Sequence, residues 1–478
     1  MKKIPVYIIV FLVSVLSSSN GFAQTAQTLD DRIKILEDAV KKQEETIKGQ
    51  KELIEELKAE MQQGRPPAQQ AGAQPQEILP PAGQAVPVAS PLEQVQQQVQ
   101  HLEEQIGQVV DAQKKDILSV FNPAIGLVGE SVFSFRSKGK QETGSDRPGG
   151  FDVNQRSVEL NLAGSVDPYA RGYAVINASA DPVTGEASAT VEEAAIQTTS
   201  LPWNLTLKGG RFFGEFGRLS YIHDHELPFV NRPLVLDRNI GGESKTDGVQ
   251  VNYLLPISHY VSLTAGVGDQ FGDTPNNVGD FRNASGLNFW SRASTYFDLT
   301  PDISFEPGIS GLWNPKTLDR GGPLAQPDGR TFTERERRLV GTDLVLRYYP
   351  LRNNQFQSLT WGTELLYSDN RYDVTAPDNS ASSRFVGSLG LYSYLAYKFH
   401  RQWTVGFLFD YLQKAENKHD QTLAYSPFIT WSLSHWNQLR LQYTHTAHDA
   451  VSGLRDDDAV YLQWAWIIGS HAHGWQER

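Results

Sequence analysis

The densest set of residues able to do chemistry lies in one stretch, residues 209–236, GGRFFGEFGRLSYIHDHELPFVNRPLVL. Within it, His223-Asp224-His225-Glu226 offers two imidazoles and two carboxylates in consecutive positions. In an extended segment His223 and His225 project to the same side, as two imidazole ligands of a divalent metal must. A third ligand would come from Asp237 or from elsewhere in the chain. The competing reading is of polar loop residues hydrogen-bonded in an enclosed aqueous space. Arg211, Arg218, Arg232 and Arg238 supply cations around this group; Asp224, Glu226 and Asp237 supply anions. Phe212, Phe213, Phe216, Tyr221 and Phe229 provide apolar contacts, and Pro228 and Pro233 stiffen the chain. A long segment with so many apolar residues is not expected to hang in water, so it should fold against a wall and narrow whatever space that wall encloses.

Other chemistries are poorly supplied. The chain has no cysteine, which removes disulfides, thiolate catalysis, Cys-based zinc sites and a lipid-anchoring cysteine. It has no G-x-S-x-G, and its histidines have no recognisable serine partner. His223, Asp224 and Glu226 form the one acid–base group that an enzyme might use, and no enzyme is expected. A formal net charge of −12 argues against a nucleic-acid partner. His471 and His473 form a second, weaker pair near the C-terminus.

The elements that must position these residues are strands. From residue 122 the hydrophobic period becomes 2. Trp403, Val405, Phe407, Phe409 and Tyr411 alternate with Thr404, Gly406 and Asp410; Leu441 and Tyr443 alternate with Arg440, Gln442 and Thr444. Strands are expected near 124–136, 152–165, 169–181, 188–199, 203–213, 246–256, 259–269, 286–298, 302–314, 338–350, 357–369, 385–399, 402–414, 421–434, 437–448 and 457–468. The gaps alternate between short turns and longer segments rich in Gly, Asp, Asn and Pro, the pattern of an outer-membrane barrel. The chain holds 10 Trp, 18 Tyr, 22 Phe and 40 Gly. Its mean hydropathy is nonetheless −0.41. An apolar outer face alternating with a polar lumen gives that combination. The expected fold is an all-β transmembrane barrel of about 16 antiparallel strands, wide enough for an aqueous channel. Lys208, Arg292, Arg347, Lys398 and Arg440 should point inward, as should Glu159, Glu306, Asp343, Glu364 and Asp410. Segment 214–245 is the third long loop, and with Arg292, Arg347 and Arg440 it is expected to form the pore constriction.

The remainder reads as targeting and stalk. Residues 1–23 have the charged start, short apolar run and small residues of a secretory signal. Residues 24–63 carry a heptad seam, with Ile33, Val40, Ile47 and Ile54 at a, that predicts a left-handed coiled coil. A Pro/Gln-rich linker, 64–91, leads to a second coiled-coil helix, 92–118, then the barrel, 119–469, and a tail, 470–478. An α-helical coiled-coil stalk that self-associates in the periplasm, below a barrel in Gram-negative outer-membrane lipid, is the expected arrangement.

LKGGRFFGEFGRLS at 207–220, leading into HELPFVNRPL at 225–234, resembles outer-membrane porins of the phosphate-selective O and P superfamily. It is more similar to a branch labelled zinc-regulated outer-membrane receptors. The resemblance covers roughly 122–473, and an N-terminal coiled coil is also similar to that superfamily. It implies a trimeric, 16-stranded porin for passive diffusion of small hydrophilic solutes or ions. The phosphate-selective members use a lysine-rich constriction, whereas this loop holds Lys245 alone, at its end. TonB-dependent receptors pair a plug domain with a 22-stranded barrel, and the residues after the stalk are too few for both. The alternatives are a zinc-related uptake channel, or a structural tether whose barrel is an anchor.

Overall fold

The computed structural model describes residues 123–469, except 145–146, 182, 276–283, 318–323, 327 and 353–355. The signal, the coiled-coil stalk, the linker and the tail with His471 and His473 lie outside the described residues.

Period-2 alternation produces sixteen long strands. In order they are β1 (Ala124–Arg136), β2 (Gly150–Asp167), β3 (Ala170–Ala180), β4 (Ala187–Thr198), β5 (Leu205–Phe213), β6 (Lys245–Leu254), β7 (Val261–Gly268) and β8 (Asn288–Thr295, continued by Phe297–Thr300). The second half comprises β9 (Ile303–Asn314), β10 (Thr331–Tyr348), β11 (Ser358–Thr375), β12 (Ala381–His400), β13 (Trp403–Gln413), β14 (Gln421–Ser434), β15 (Asn437–His448) and β16 (Asp457–Gly469). Each pairs antiparallel with its neighbours in sequence. The sheet closes where β1 meets β16, with Gly126 opposite Gly469 and Arg136 opposite Ala459. Closure pairs the backbone groups that an open sheet would leave on its edges.

The outer face is apolar: Trp361, Leu365, Tyr367, Val405, Phe407, Leu441, Tyr443, Leu462 and Trp464 are all exposed there. Several expected boundaries shift outward. Strands β10, β11 and β12 begin or end well beyond 338, 369 and 385, so the expected loops at 315–337 and 370–384 are partly strand. These extensions are polar sequence, such as Thr331-Phe-Thr-Glu-Arg-Glu-Arg337, in which alternation of hydrophobicity is weak.

The inner face departs from a uniformly polar lumen. Trp290, Leu312, Leu339, Leu366, Tyr392, Tyr394, Leu408, Leu412 and Phe428 point inward from β8–β14. They form one core with Phe216, Leu219, Leu227, Phe229, Val235, Leu236 and Ile240 of the segment between β5 and β6. That segment, 214–244, therefore lies inside the barrel as expected. It contains a single-turn 3₁₀ helix at Asp224–Glu226 and the helix α1 (Leu234–Ile240). The wall makes room for α1 at Gly390, where a Cβ would sit 2.4 Å from Val235. Replacing Gly390 by Leu should push α1 off the wall at a cost of about 1–3 kcal/mol for overpacking, while leaving the strand ladder intact. Trypsin should then cut after Arg238 in a barrel that still migrates as folded on an unheated gel. A loop as resistant as the parent's would show that α1 does not rest on Gly390.

Candidate functional site

Segment 214–244 is held to the wall by polar fastenings spaced along its length. At its start Gly217 takes a positive φ of 59° and passes so close to Glu364 that a Cβ would meet the carboxylate at 2.0 Å. Its backbone N–H donates to Ser310 Oγ at 2.9 Å, and that of Arg218 donates to Glu364 at 3.1 Å. The Arg218 guanidinium pairs with Glu306 at 2.7 Å, and Glu306 also pairs with Arg347 at 3.0 Å. Farther along, Arg440 donates to the Phe229 carbonyl at 3.1 Å, and the Val230 N–H donates to Gln442 at 2.7 Å. Arg156 donates to the Val230 carbonyl at 2.5 Å. At α1 the Leu234 N–H donates to Asp410 at 3.2 Å, and Arg238 pairs with Glu416. Arg292 and Asp343 form a buried pair at 2.6 Å in the wall beneath.

Arg232 organises the segment from within. Its guanidinium donates to the carbonyls of Leu219 at 2.6 Å and Ile222 at 2.7 Å, and pairs with Asp224 at 2.6 Å and Glu243 at 3.3 Å. One side chain thus ties the descending and ascending arms of the loop together.

The expected constriction residues therefore divide. Arg218, Arg238 and Arg440 are committed to partners as fastenings between loop and wall, and Arg292 and Arg347 to carboxylates within the wall. Arg211 is not in the lumen. Strand alternation puts it on the outer face with Leu207, where it pairs with Asp247 at 2.9 Å beside exposed Val249 and Val251. Asp224, Arg232 and Asp237 do line an aqueous space, a cavity of about 450 Å³ between the loop and the inner faces of β1–β4 and β13–β16. Arg136, Arg147, Arg156, Glu159, Glu192, Glu243, Lys245 and Asp410 complete its charged lining.

At one margin of this cavity the two histidines meet the wall. The backbone that brings them together is not extended. His223 precedes the 3₁₀ turn Asp224–Glu226, and the turn sets the two rings 5.7 Å apart. His223 Nε2 lies 2.9 Å from Glu193 Oε1, and its Nδ1 lies 3.4 Å from Glu159 Oε2 and 3.7 Å from Glu192 Oε2. His225 Nδ1 lies 3.2 Å from Glu159 Oε1. Glu226 is exposed, and Asp237 is not among these groups; the third member is Glu159, from β2. Burial opposes charge on the His223 ring, but Glu159, Glu193 and Glu192 outweigh it and raise its pKa to about 10. His225 is likewise raised, with Glu159 overcoming burial.

Two β-bulges place residues that alternation alone would send outward. Val175 pairs with Glu193 while Ile176 pairs with Val191, so Glu192 is the extra residue and both adjacent glutamates are buried in the lumen. Glu130 pairs with Ser157 while Ser131 pairs with Gln155, which leaves Arg156 extra and facing the loop. The one sequence signal for the first bulge is the Glu192-Glu193 doublet itself, since an outward glutamate on an apolar face is costly.

No family model matches the chain. An uncharacterized protein of Aquifex aeolicus (strain VF5) is 29% identical over 343 residues, covering 67% of this chain and 69% of that protein. Among solved structures, the outer membrane channel DcaP of Acinetobacter baumannii aligns with a TM-score of 0.49 and 11% identity, over 73% of this chain and 98% of that one. An anion-selective porin from Comamonas acidovorans aligns with a TM-score of 0.48 and 9% identity, over 73% and 99%. OprB of Pseudomonas putida aligns with a TM-score of 0.46 and 9% identity, over 75% and 96%.

Loss of the Arg232 clamp has a local signature. Arg232→Met should cost about 2–3 kcal/mol of loop order, the range for hydrogen bonds to a charged group. Amide exchange in 219–243 should accelerate by about 30- to 150-fold, while exchange in β10–β14 stays at parent rates. Uniform acceleration across the strands would mean that Arg232 supports the whole barrel.

Proposed function

We propose that the chain is an outer-membrane channel for passive diffusion of small hydrophilic solutes or ions, narrowed by loop 214–244. The observation that carries this reading is a closed sixteen-strand barrel with an apolar outer face, holding a charged cavity beside an inward-folded loop. An apolar belt on a closed barrel suits lipid, because every backbone group within it is paired. A charged, water-accessible lining suits hydrophilic solutes. The lining carries both signs, Arg136, Arg147, Arg156, Arg232 and Lys245 against Glu159, Glu192, Asp224, Asp237, Glu243 and Asp410, so it supports no single ion preference.

We include homotrimer formation and a self-associating periplasmic stalk in this proposal. Arg211 and Asp247 are about a third and a half exposed on the outer face, and a charged pair there is costly in lipid. Covering it at a subunit contact would relieve that cost. An enzyme is not proposed, since His223 is engaged by carboxylates and Asp224 by Arg232.

A second reading follows from the number of fastenings across the lumen: the loop is a permanent plug, and the barrel is an anchor for the stalk. Planar-bilayer recording in KCl separates the two. A channel should show steady openings, in triplets for a trimer, and deleting 219–235 should raise the conductance several-fold. Silence from inserted, folded parent protein together with openings in the deletion variant would establish the plug. Equal conductance of parent and deletion would place the loop outside the conducting path.

A further inference from the structure

We propose that Glu159, His223 and His225 form a binding site for one divalent transition-metal ion, which bridges the inward loop to the β2 wall. One nitrogen of each imidazole and a carboxylate oxygen of Glu159 all lie within 4.8 Å of one another. The Nδ1 atoms of His225 and His223 stand 3.2 Å from Glu159 Oε1 and 3.4 Å from Glu159 Oε2, close to the spacing between ligands of a tetrahedral ion. Metal–ligand distances of about 2.0–2.2 Å put tetrahedral ligands about 3.4 Å apart. Two imidazoles and a carboxylate select a zinc-like ion over Ca²⁺ or Mg²⁺, which prefer oxygen alone.

Three further features make this a built site. The second nitrogen of His223, Nε2, is oriented by Glu193 at 2.9 Å, and Glu193 is itself held by the Tyr173 hydroxyl at 3.1 Å. A carboxylate behind a ligating histidine fixes its ring and strengthens its basicity. The site has an entry path, because Glu159 and Glu192 both line the charged cavity while the histidines lie behind them. Its charge also suits a cation: Glu159, Glu192 and Glu193 are all buried within 3.7 Å of a histidine nitrogen. Because the ligands come from both loop and wall, occupancy holds 223–225 against β2. The proposal does not rest on conduction, since binding is read on protein that need not be reconstituted in a bilayer.

The test is calorimetric titration of the full chain, folded in detergent and stripped with chelator. Zn²⁺ should bind at one equivalent per chain, with no comparable heat from Mg²⁺ or Ca²⁺. His223→Ala combined with His225→Ala should weaken binding by at least about 100-fold, and the milder Glu193→Gln by about 10- to 100-fold, the range for losing a second-layer partner. Because the double variant also loosens the loop, Glu159→Gln and His225→Gln serve as near-isosteric controls, each checked for a folded barrel by its unheated gel mobility. Co²⁺ gives an independent readout: tetrahedral nitrogen–oxygen coordination produces visible d–d absorption, expected in the parent and absent in His225→Gln. Zn²⁺ should also slow tryptic cleavage after Arg218 and Arg238 in the parent alone. Zn²⁺ binding unchanged in the double variant would place the metal elsewhere, for instance at His471 and His473, and would overturn the proposal. A parent that binds Zn²⁺ no better than Mg²⁺ would overturn it as well.

Discussion

A sheet closed from sixteen strands encloses more space than its own inward side chains can fill, and that constraint shapes everything inside this barrel. Small barrels solve the same geometry by packing a core. Here the chain brings in a second element, the loop 214–244, and divides the lumen into two chemically different halves. Toward β8–β14 the loop meets aromatic and aliphatic side chains, and water is excluded. Toward β1–β4 it faces arginines, glutamates and amides across a cavity. The loop therefore converts a wide hole into a dry core on one side and a narrow charged space on the other.

The way the loop is held follows from that division. Burying Phe229 or Leu236 contributes roughly 1.5–3 kcal/mol each, but apolar burial is non-directional and does not specify one path across the lumen. Direction comes from charged hydrogen bonds. Arg218 reaches Glu306, Arg440 reaches the Phe229 carbonyl, and Arg232 joins the two arms. Removing one partner from such a buried pair leaves the other uncompensated, so each is more important for position than for net stability. The wall is shaped to match, with a glycine at 390 under α1 and bulges at Arg156 and Glu192 opposite the tip of the loop.

Much of this fold was legible in the residues. Strict alternation and the regular change from short to long connections lead to sixteen strands in the right order, and aromatic residues in a long loop lead to its inward path. What escaped had a common cause: a period-2 reading sees one strand at a time. In Trp403–Gln413 both faces are apolar, so Val405 and Phe407 are recognised as outer residues while Leu408 and Leu412 pass unremarked as core. Arg211 reads as one more loop cation because its exclusion from the lumen depends on the parity of β5 against β6. Glu192 and Glu193 face the same way only because of a register shift with β3, which no local pattern encodes. His223 and His225 were recognised as a pair from an assumed extended backbone. They do meet, but through a 3₁₀ turn, and their third neighbour comes from 66 residues earlier in the chain.

The histidine cluster links the loop to the wall through charge. Three glutamates buried at the edge of a water-filled space are tolerated only while positive charge stands against them. Part of that charge comes from Lys245, 2.8 Å from Glu192, while the His223 and His225 rings on the loop face the carboxylates on the wall. Whatever neutralises the carboxylates thereby decides how firmly the loop is docked at the margin of the cavity. Across the cavity, Glu159 and Glu192 of the wall face Asp224 and Arg232 of the loop. The same residues thus set both the field within the cavity and the width of the gap between loop and wall, so the two are not independently adjustable in this barrel. A substitution that changes the sign of the lining will also move the loop.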